Sequence, residues 1–177
     1  MRNLKIFLSI LFVSVLFIGC GSDIDMVKDG VMNFNKTITV GEAFDNNVNC
    51  KKGEWESFET DNGTRVVQFT CNVKGVKEFF NKTKSFFKDK DDLSHLDIIS
   101  NIKVYQFTIN KDDTFQIDNV QNITKWADGK KTENPSDAVE ALEEIYKNRL
   151  SLNIDELNDM LAGQISYAFM ISKAKAK

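Results

Sequence analysis

The side chains able to do chemistry in this 177-residue chain are few and scattered. Cysteines stand at Cys20, Cys50 and Cys71, and the single histidine is His95. Acidic residues gather as Glu54, Glu56 and Glu59 around Trp55, as Asp89-Lys90-Asp91-Asp92, and as Lys111-Asp112-Asp113. Two carboxylates facing one pocket can work as general acid and base, so the group around Trp55 is the set from which a small hydrolase could be built. The other two runs lack the alternating oxygen ligands and the Gly of a calcium loop, and their lysines would repel a cation. They read as solvated turns. No Cys-X-X-Cys, Gly-X-Ser-X-Gly, His-Glu-X-X-His, Walker or dinucleotide fingerprint is present. One histidine removes most triad and metalloenzyme readings. The expectation is a protein with no catalytic residue, no metal and no cofactor.

Cys20 belongs to a different chemistry. Arg2 and Lys5 precede an apolar run that starts at Ile6, no acidic residue occurs before Asp23, and the run ends in Leu16-Phe17-Ile18-Gly19-Cys20. A positive start, an apolar stretch shorter than the ~20 residues of a spanning helix, and a small residue at the break have the layout of a secretory signal. A cysteine directly after that small residue resembles the lipobox of bacterial lipoproteins, with Phe17 where Leu is usual. The resemblance implies cleavage of residues 1–19, acylation of Cys20 and a body held in the bacterial cell envelope by lipid. Gly21 rather than Asp after the cysteine implies, by the same resemblance, the outer rather than the inner membrane, with the body periplasmic or surface-facing. The other reading is an ordinary exported protein with an incidental cysteine. With Cys20 acylated, Cys50 and Cys71 remain as an even pair in a compartment that permits disulfides. They are expected either to form a bridge or to remain two separate thiols, one of them buried.

Composition narrows the partners. The whole chain carries a formal charge of −3, and residues 1–19 hold Arg2 and Lys5 but no acid, so the body is more acidic still. A mildly acidic body does not suit nucleic acid, which needs clustered Lys and Arg. Apart from the tail Lys173-Ala174-Lys175-Ala176-Lys177, no polybasic membrane patch occurs. Fourteen Phe and one Pro describe a filled core rather than a Pro-rich stalk.

The pattern of elements begins with residues 20–30, polar and turn-rich, which read as the lipidated N-terminus and a flexible tether. Residues 31–177 form one α+β domain with a helical C-terminal part from about 135. Val31-Met32-Asn33-Phe34 reads as briefly extended. A short helix over 41–46 takes Thr39 as N-cap and Glu42 as the return partner of a capping box, with Ala43 and Phe44 inward. Residues 54–72 read as a hairpin turning at Asn62-Gly63 through a two-residue turn. That register sets Phe58 against Val67, Glu56 against Phe69 and Cys71 against Glu54, with Val67, Phe69 and Cys71 on the core face. Trp55 then falls on the other face, unless a bulge corrects it.

Val76, Phe79, Phe80, Thr83 and Phe87 mark one face of a helix over 76–87. Leu93, Leu96, Ile98 and Ile99 suggest another short helical piece. Strands over 102–110 and 114–123 are joined by the three-residue loop Lys111-Asp112-Asp113, which pairs Ile109 with Phe115 and Phe107 with Ile117. A polar link through Asp128-Gly129 and Asn134-Pro135 leads to two helices. The first is capped by Ser136, with Val139, Leu142, Ile145 or Tyr146, and Leu150 inward. The second starts at Asn153 with Glu156 and turns Leu157, Leu161, Ile165, Ala168 and Ile171 inward. The fold class expected is α+β: a four-stranded antiparallel sheet from two hairpins, an intervening helix and two C-terminal helices.

Val40-Gly41-Glu42-Ala43-Phe44-Asp45-Asn46, followed by Trp55-Glu56-Ser57-Phe58-Glu59-Thr60-Asp61-Asn62-Gly63-Thr64-Arg65-Val66-Val67, resembles a group of small uncharacterised bacterial exported proteins over residues 27–125. That group brings no catalytic motif with it. The anchored α+β layout is also similar to the small lipoproteins that assist outer-membrane protein assembly, although their Gly-Met-Thr entry is missing here. Two functions are expected. One is a membrane-anchored binding or assembly module that meets an envelope protein or polymer. The other is a small envelope enzyme, a carboxylate-based hydrolase using Glu54, Glu56 or Glu59.

Overall fold

The middle of the chain forms a five-stranded antiparallel sheet in the order β1-β2-β3-β4-β5, with inward apolar side chains alternating through Val67, Phe69 and Cys71 and through Tyr105, Phe107 and Ile109. The computed structural model describes residues 20–85, 97–150 and 164. Its strands are β1 (Cys50–Glu59), β2 (Arg65–Val73), β3 (Ile98–Ile109), β4 (Phe115–Trp126) and β5 (Lys131–Pro135). The helices are α1 (Cys20–Asp29), α2 (Val40–Asp45), α3 (Val76–Ser85), which links β2 to β3, and α4 (Ala138–Lys147). The architecture is α+β, as expected, but the sheet has five strands rather than four.

The three hairpins share one loop design. Thr60, Asn110 and Trp126 each accept at their carbonyl from the N–H three residues on, that of Gly63, Asp113 and Gly129. Those three acceptor residues also donate their own N–H to Thr64, Asn110's partner Thr114 and Lys130 in turn. The third loop residue is left-handed each time, with φ of +78° at Gly63, +60° at Asp113 and +80° at Gly129. This is the three-residue loop in which a type I turn is closed by one left-handed residue. The middle residue strengthens it. Asn62 Oδ1 accepts from Thr64, Asp112 Oδ1 from Thr114, and Asp128 Oδ1 from Lys130. Hydrogen bonds from the Thr114 side chain and backbone hold the Asp112 carboxyl below its usual range.

That design corrects the first register. The loop is Asp61-Asn62-Gly63 rather than Asn62-Gly63 alone, so the strands slip by one residue and every facing relation changes. Phe58 pairs with Val66, Glu56 with Gln68, and Trp55 with Phe69. Trp55 therefore lies on the core face, and Phe58 is left 39% exposed on the outer one. In the second hairpin Ile109 pairs with Phe115 and Phe107 with Ile117, as expected, with a bulge beyond them. The third hairpin accounts for β5. The polar stretch read as a link pairs Thr132 with Thr124, and buried Trp126 donates its indole N–H to Thr132 Oγ1 at 2.6 Å.

Residues 20–30 are not a leash. They form α1, in which Val27 is wholly buried and Ile24 and Met26 pack on the core. Ile24 and Val27, three residues apart, give one helical turn an apolar face. Asp23 and Lys28 on the flanks meet Arg65 and Asp45. Arg65 also reaches Asp113 at 3.0 Å, so one guanidinium joins α1 to two hairpins, and those bonds raise its already high pKa. Helix α1 therefore packs as part of the folded domain rather than ahead of it. Residues 31–35 are a turn closed by a Met32–Asn35 bridge rather than an extended piece.

Both halves of the Thr39–Glu42 capping box form at α2, at 3.1 and 2.8 Å, and Ala43 and Phe44 are buried. Helix α3 buries Val76, Phe79, Phe80 and Thr83, as its periodicity predicts. Ile98 and Ile99 open β3 instead of a helix. Helix α4 is capped by Asp137, not Ser136, and buries Ala141, Leu142 and Ile145. Val139 and Leu150 are 62% and 60% exposed, so they are not on its inward face. Phe87, the 88–92 run, Leu93, His95, Leu96 and the second C-terminal helix lie outside the described residues.

Candidate functional site

The core face of the sheet has two separate covers. Helices α1, α2 and α4 close one end over Phe69, Tyr105, Phe107 and Val120. Helix α3 closes the other over Ile98 and Trp126, through Val76 and Phe80. Between the covers the inward positions of β3 and β4 turn polar: Asn101 pairs with Thr124, and Lys103 with Asn122. A cleft of about 300 Å³ opens there, walled by Val76 and Phe79 of α3, Glu144 and Ile145 of α4, and Asn47 and Asn49 of the α2–β1 connection. Cys71 and Tyr105 form part of its floor. The volume is at the small end of the range in which ligand clefts fall.

Its charges are paired. Lys103 Nζ lies 3.2 Å from Glu144 Oε2, and the two side chains are 20% and 54% exposed. The same ammonium sits 5.6 Å from the Tyr105 ring centroid. Burial, with the Glu144 charge adding to it, pushes the Tyr105 phenol up. Asn101 Nδ2 donates to Thr124 Oγ1 at 2.8 Å. The arrangement can bind a polar molecule against an apolar wall. With one carboxylate, already paired to a lysine, it does not supply the two facing acids that general acid–base hydrolysis uses.

The residues singled out from sequence lie elsewhere. Cys50 and Cys71 are joined, with Cα atoms 5.3 Å apart. The hairpin register sets Gly53 opposite Cys71, and a register shift between Cys50 and Lys52 places Cys50 opposite Val73, two residues from Cys71 along β2. Gly53 is required there, since a Cβ would come within 2.5 Å of the Phe69 ring. Cys20 is the first residue of α1. Glu54 and Glu56 alternate with Trp55 and so occupy the opposite face of β1. Glu54 pairs with Lys52, and Glu56 accepts from Gln68 at 2.6 Å. Glu59 is exposed at the end of the strand. Trp55 donates its indole N–H to Asp45 at 2.7 Å, with Lys28 5.7 Å from its ring. The acid trio and Trp55 therefore do not converge on one pocket. Among the described residues, no group of three or more His, Cys, Asp or Glu could hold a metal ion.

The outer face of the sheet carries a side-chain ladder. Asn119 donates to Gln106, Gln106 to Gln68, and Gln68 to Glu56, at 2.8, 2.7 and 2.6 Å across four strands. Every link is made, which fits a stabilising role for the face better than an unfilled binding site. The cleft is not evident from sequence because Asn101 lies outside the expected strand over 102–110, and Lys103 and Asn122 read there only as strand positions. The signal was their parity: Lys103 is two residues from Tyr105 and four from Phe107, so it must point inward with them. Compared with protein-family models, with curated proteins and with solved structures, the chain matches none.

Proposed function

We propose that this protein is a lipid-anchored bacterial envelope lipoprotein that acts by binding, through the α3–α4 cleft, with its attachment at Cys20. The observation that carries the binding reading is the polar belt of Asn101, Lys103 and Asn122 at inward positions of an otherwise apolar sheet face, open between two helical covers. Buried polar side chains cost stability unless they are hydrogen-bonded; Asn101 and Lys103 have partners, whereas Asn122 Oδ1 has none. The anchoring reading rests on the lipobox-like residues 16–20. Because Cys20 belongs to α1, which packs on the core through Val27, a lipid at that residue would hold the domain close to the bilayer.

Two experiments test this reading. Cys20→Ser removes the acylation site, and the body should leave the membrane fraction, since each buried methylene contributes about 0.8 kcal/mol to attachment. A variant that remains membrane-bound through a carbonate wash would reject the anchor. For the binding reading, Ser136→Trp places a large ring at the edge of the cleft and leaves the Ser136 N–H to Val120 bond intact. In a deletion strain this variant should fail to restore function while remaining folded and membrane-associated. Glu54→Gln, Glu56→Gln and Glu59→Gln should each restore it. Loss of function in one of those Gln variants, with the fold retained, would instead establish the carboxylate hydrolase.

A further inference from the structure

Among the described residues, three buried side-chain polar atoms have no hydrogen-bond partner: Asn47 Nδ2, Asn122 Oδ1 and Tyr146 Oη. The first two, one donor and one acceptor, belong to residues that line the α3–α4 cleft. An unpaired buried polar group carries its desolvation cost uncompensated, so native proteins rarely leave two at one place without a reason. The polarity of Asn47 is set by its surroundings. Its Oδ1 accepts from the Asn49 N–H at 2.8 Å, which leaves the NH₂ as the unpaired end, and the residue is 5% exposed. Neighbouring groups are satisfied, Asn101 by Thr124 and Lys103 by Glu144. Among the fully buried side-chain atoms of the residues lining the cleft, the unmet capacity is one donor and one acceptor.

These features restrict the ligand's chemistry. Lys103 and Glu144 neutralise each other, so the cleft makes no demand for a net charge. Val76, Phe79 and Ile145 give it an apolar wall suited to methyl or aliphatic groups. A secondary amide is a neutral group that offers both an acceptor and a donor beside small apolar substituents. We propose that the cleft binds a ligand built on secondary amides, which offers a C=O to Asn47 Nδ2 and an N–H to Asn122 Oδ1 while its apolar substituents rest on Val76, Phe79 and Ile145. This rests on the binding reading above and names the chemistry of its ligand. Peptide backbone and acetamido sugar are two sources of the same group.

Full-length oxidised protein in detergent micelles, with ¹⁵N-labelled side-chain amides, tests the proposal by NMR titration. The probes are N-acetylalanine N′-methylamide for the peptide source and N,N′-diacetylchitobiose for the sugar source, with acetate and glucose as controls. At least one probe is expected to shift the Asn47 and Asn122 side-chain resonances at millimolar concentration, and the probe that does so identifies the source. Asn122→Val should weaken that binding about tenfold, the effect of losing one hydrogen bond worth about 1.4 kcal/mol. In the unaltered chain, the bound probe's methyl groups should give nuclear Overhauser effects to Phe79 and Val76, so the proposal stays testable if the variant does not fold. Three results would overturn it: no shift with either probe in a folded sample, equal shifts with glucose or acetate, or undiminished binding by folded Asn122→Val. If Ser136→Trp still abolishes function in cells, those results reject the amide ligand and leave the binding reading standing.

Discussion

Phe44→Ala is expected to destabilise the domain by about 3–5 kcal/mol, the range for removing a buried phenylalanine. Phe44 is fully buried. Its ring centroid lies 5.6 Å from Trp55, 5.1 Å from Phe69, 5.0 Å from Tyr105 and 5.6 Å from Phe107, most of them edge-on. One side chain from a helix of six residues thus joins three strands. The aromatic geometry adds to the area it buries, since edge-to-face pairs contribute about 0.5–1.5 kcal/mol each. Neighbouring rings are too large and too mutually packed to collapse into the space left behind, so the cavity term should be near its maximum. Urea titration of the variant is the measurement, and Val139→Ala, at a 62% exposed position, is the control, expected within about 0.5 kcal/mol of the parent. A loss under about 1 kcal/mol for Phe44→Ala would contradict the central position of the ring.

Loss of the Cys50–Cys71 bridge should have the next largest effect. The bridge closes a loop with a sequence separation of 21, for which chain entropy gives about 3 kcal/mol. For a domain of this size that corresponds to a fall of about 6–12 °C in Tm. The position adds a local consequence. Cys71 is buried on the core face, and Cys50 stands at the register shift that starts β1. Without the bridge, the first residues of β1 would lose their tie to β2 beside the floor of the cleft. Thermal melts with and without reductant, together with Cys50→Ala/Cys71→Ala, should agree in size. Thiol counting on unfolded, unreduced protein should find neither of these cysteines free. Two reactive thiols there, or a melt indifferent to reductant, would refute the prediction.

Much of the body was legible because its signals are local. The Thr39–Glu42 capping box, the inward face of α3 and the pairing of Ile109 with Phe115 each depend on residues a few positions apart. The errors also have local causes. Asn-Gly suits two hairpin loops that differ by one residue, and choosing the shorter moved Trp55 to the wrong face of the sheet. The tether was misread because α1 has only a narrow apolar stripe, centred on Val27, and its polar flanks resemble those of a leash until Arg65 and Asp45 are brought to them. A weakly amphipathic segment becomes a helix when a core is there to receive it.

The sequence by itself determined the α+β class, the α2 cap, the face of α3, the pairing of Ile109 with Phe115 and Phe107 with Ile117, and the placing of Lys111-Asp112-Asp113 in a turn. Those follow from period, capping chemistry and loop length, which act within about ten residues. Tertiary structure alone decided that β5 joins the sheet, that Trp55 rather than Glu54 and Glu56 faces the core, and that Asn47 and Asn122 meet one cleft. Asn47 precedes β1 and Asn122 lies in β4, so only the stacking of the whole meander brings them together. Local propensity carries no term for a contact across that span, because such a contact is made only when intervening strands have paired and the helices have closed over them.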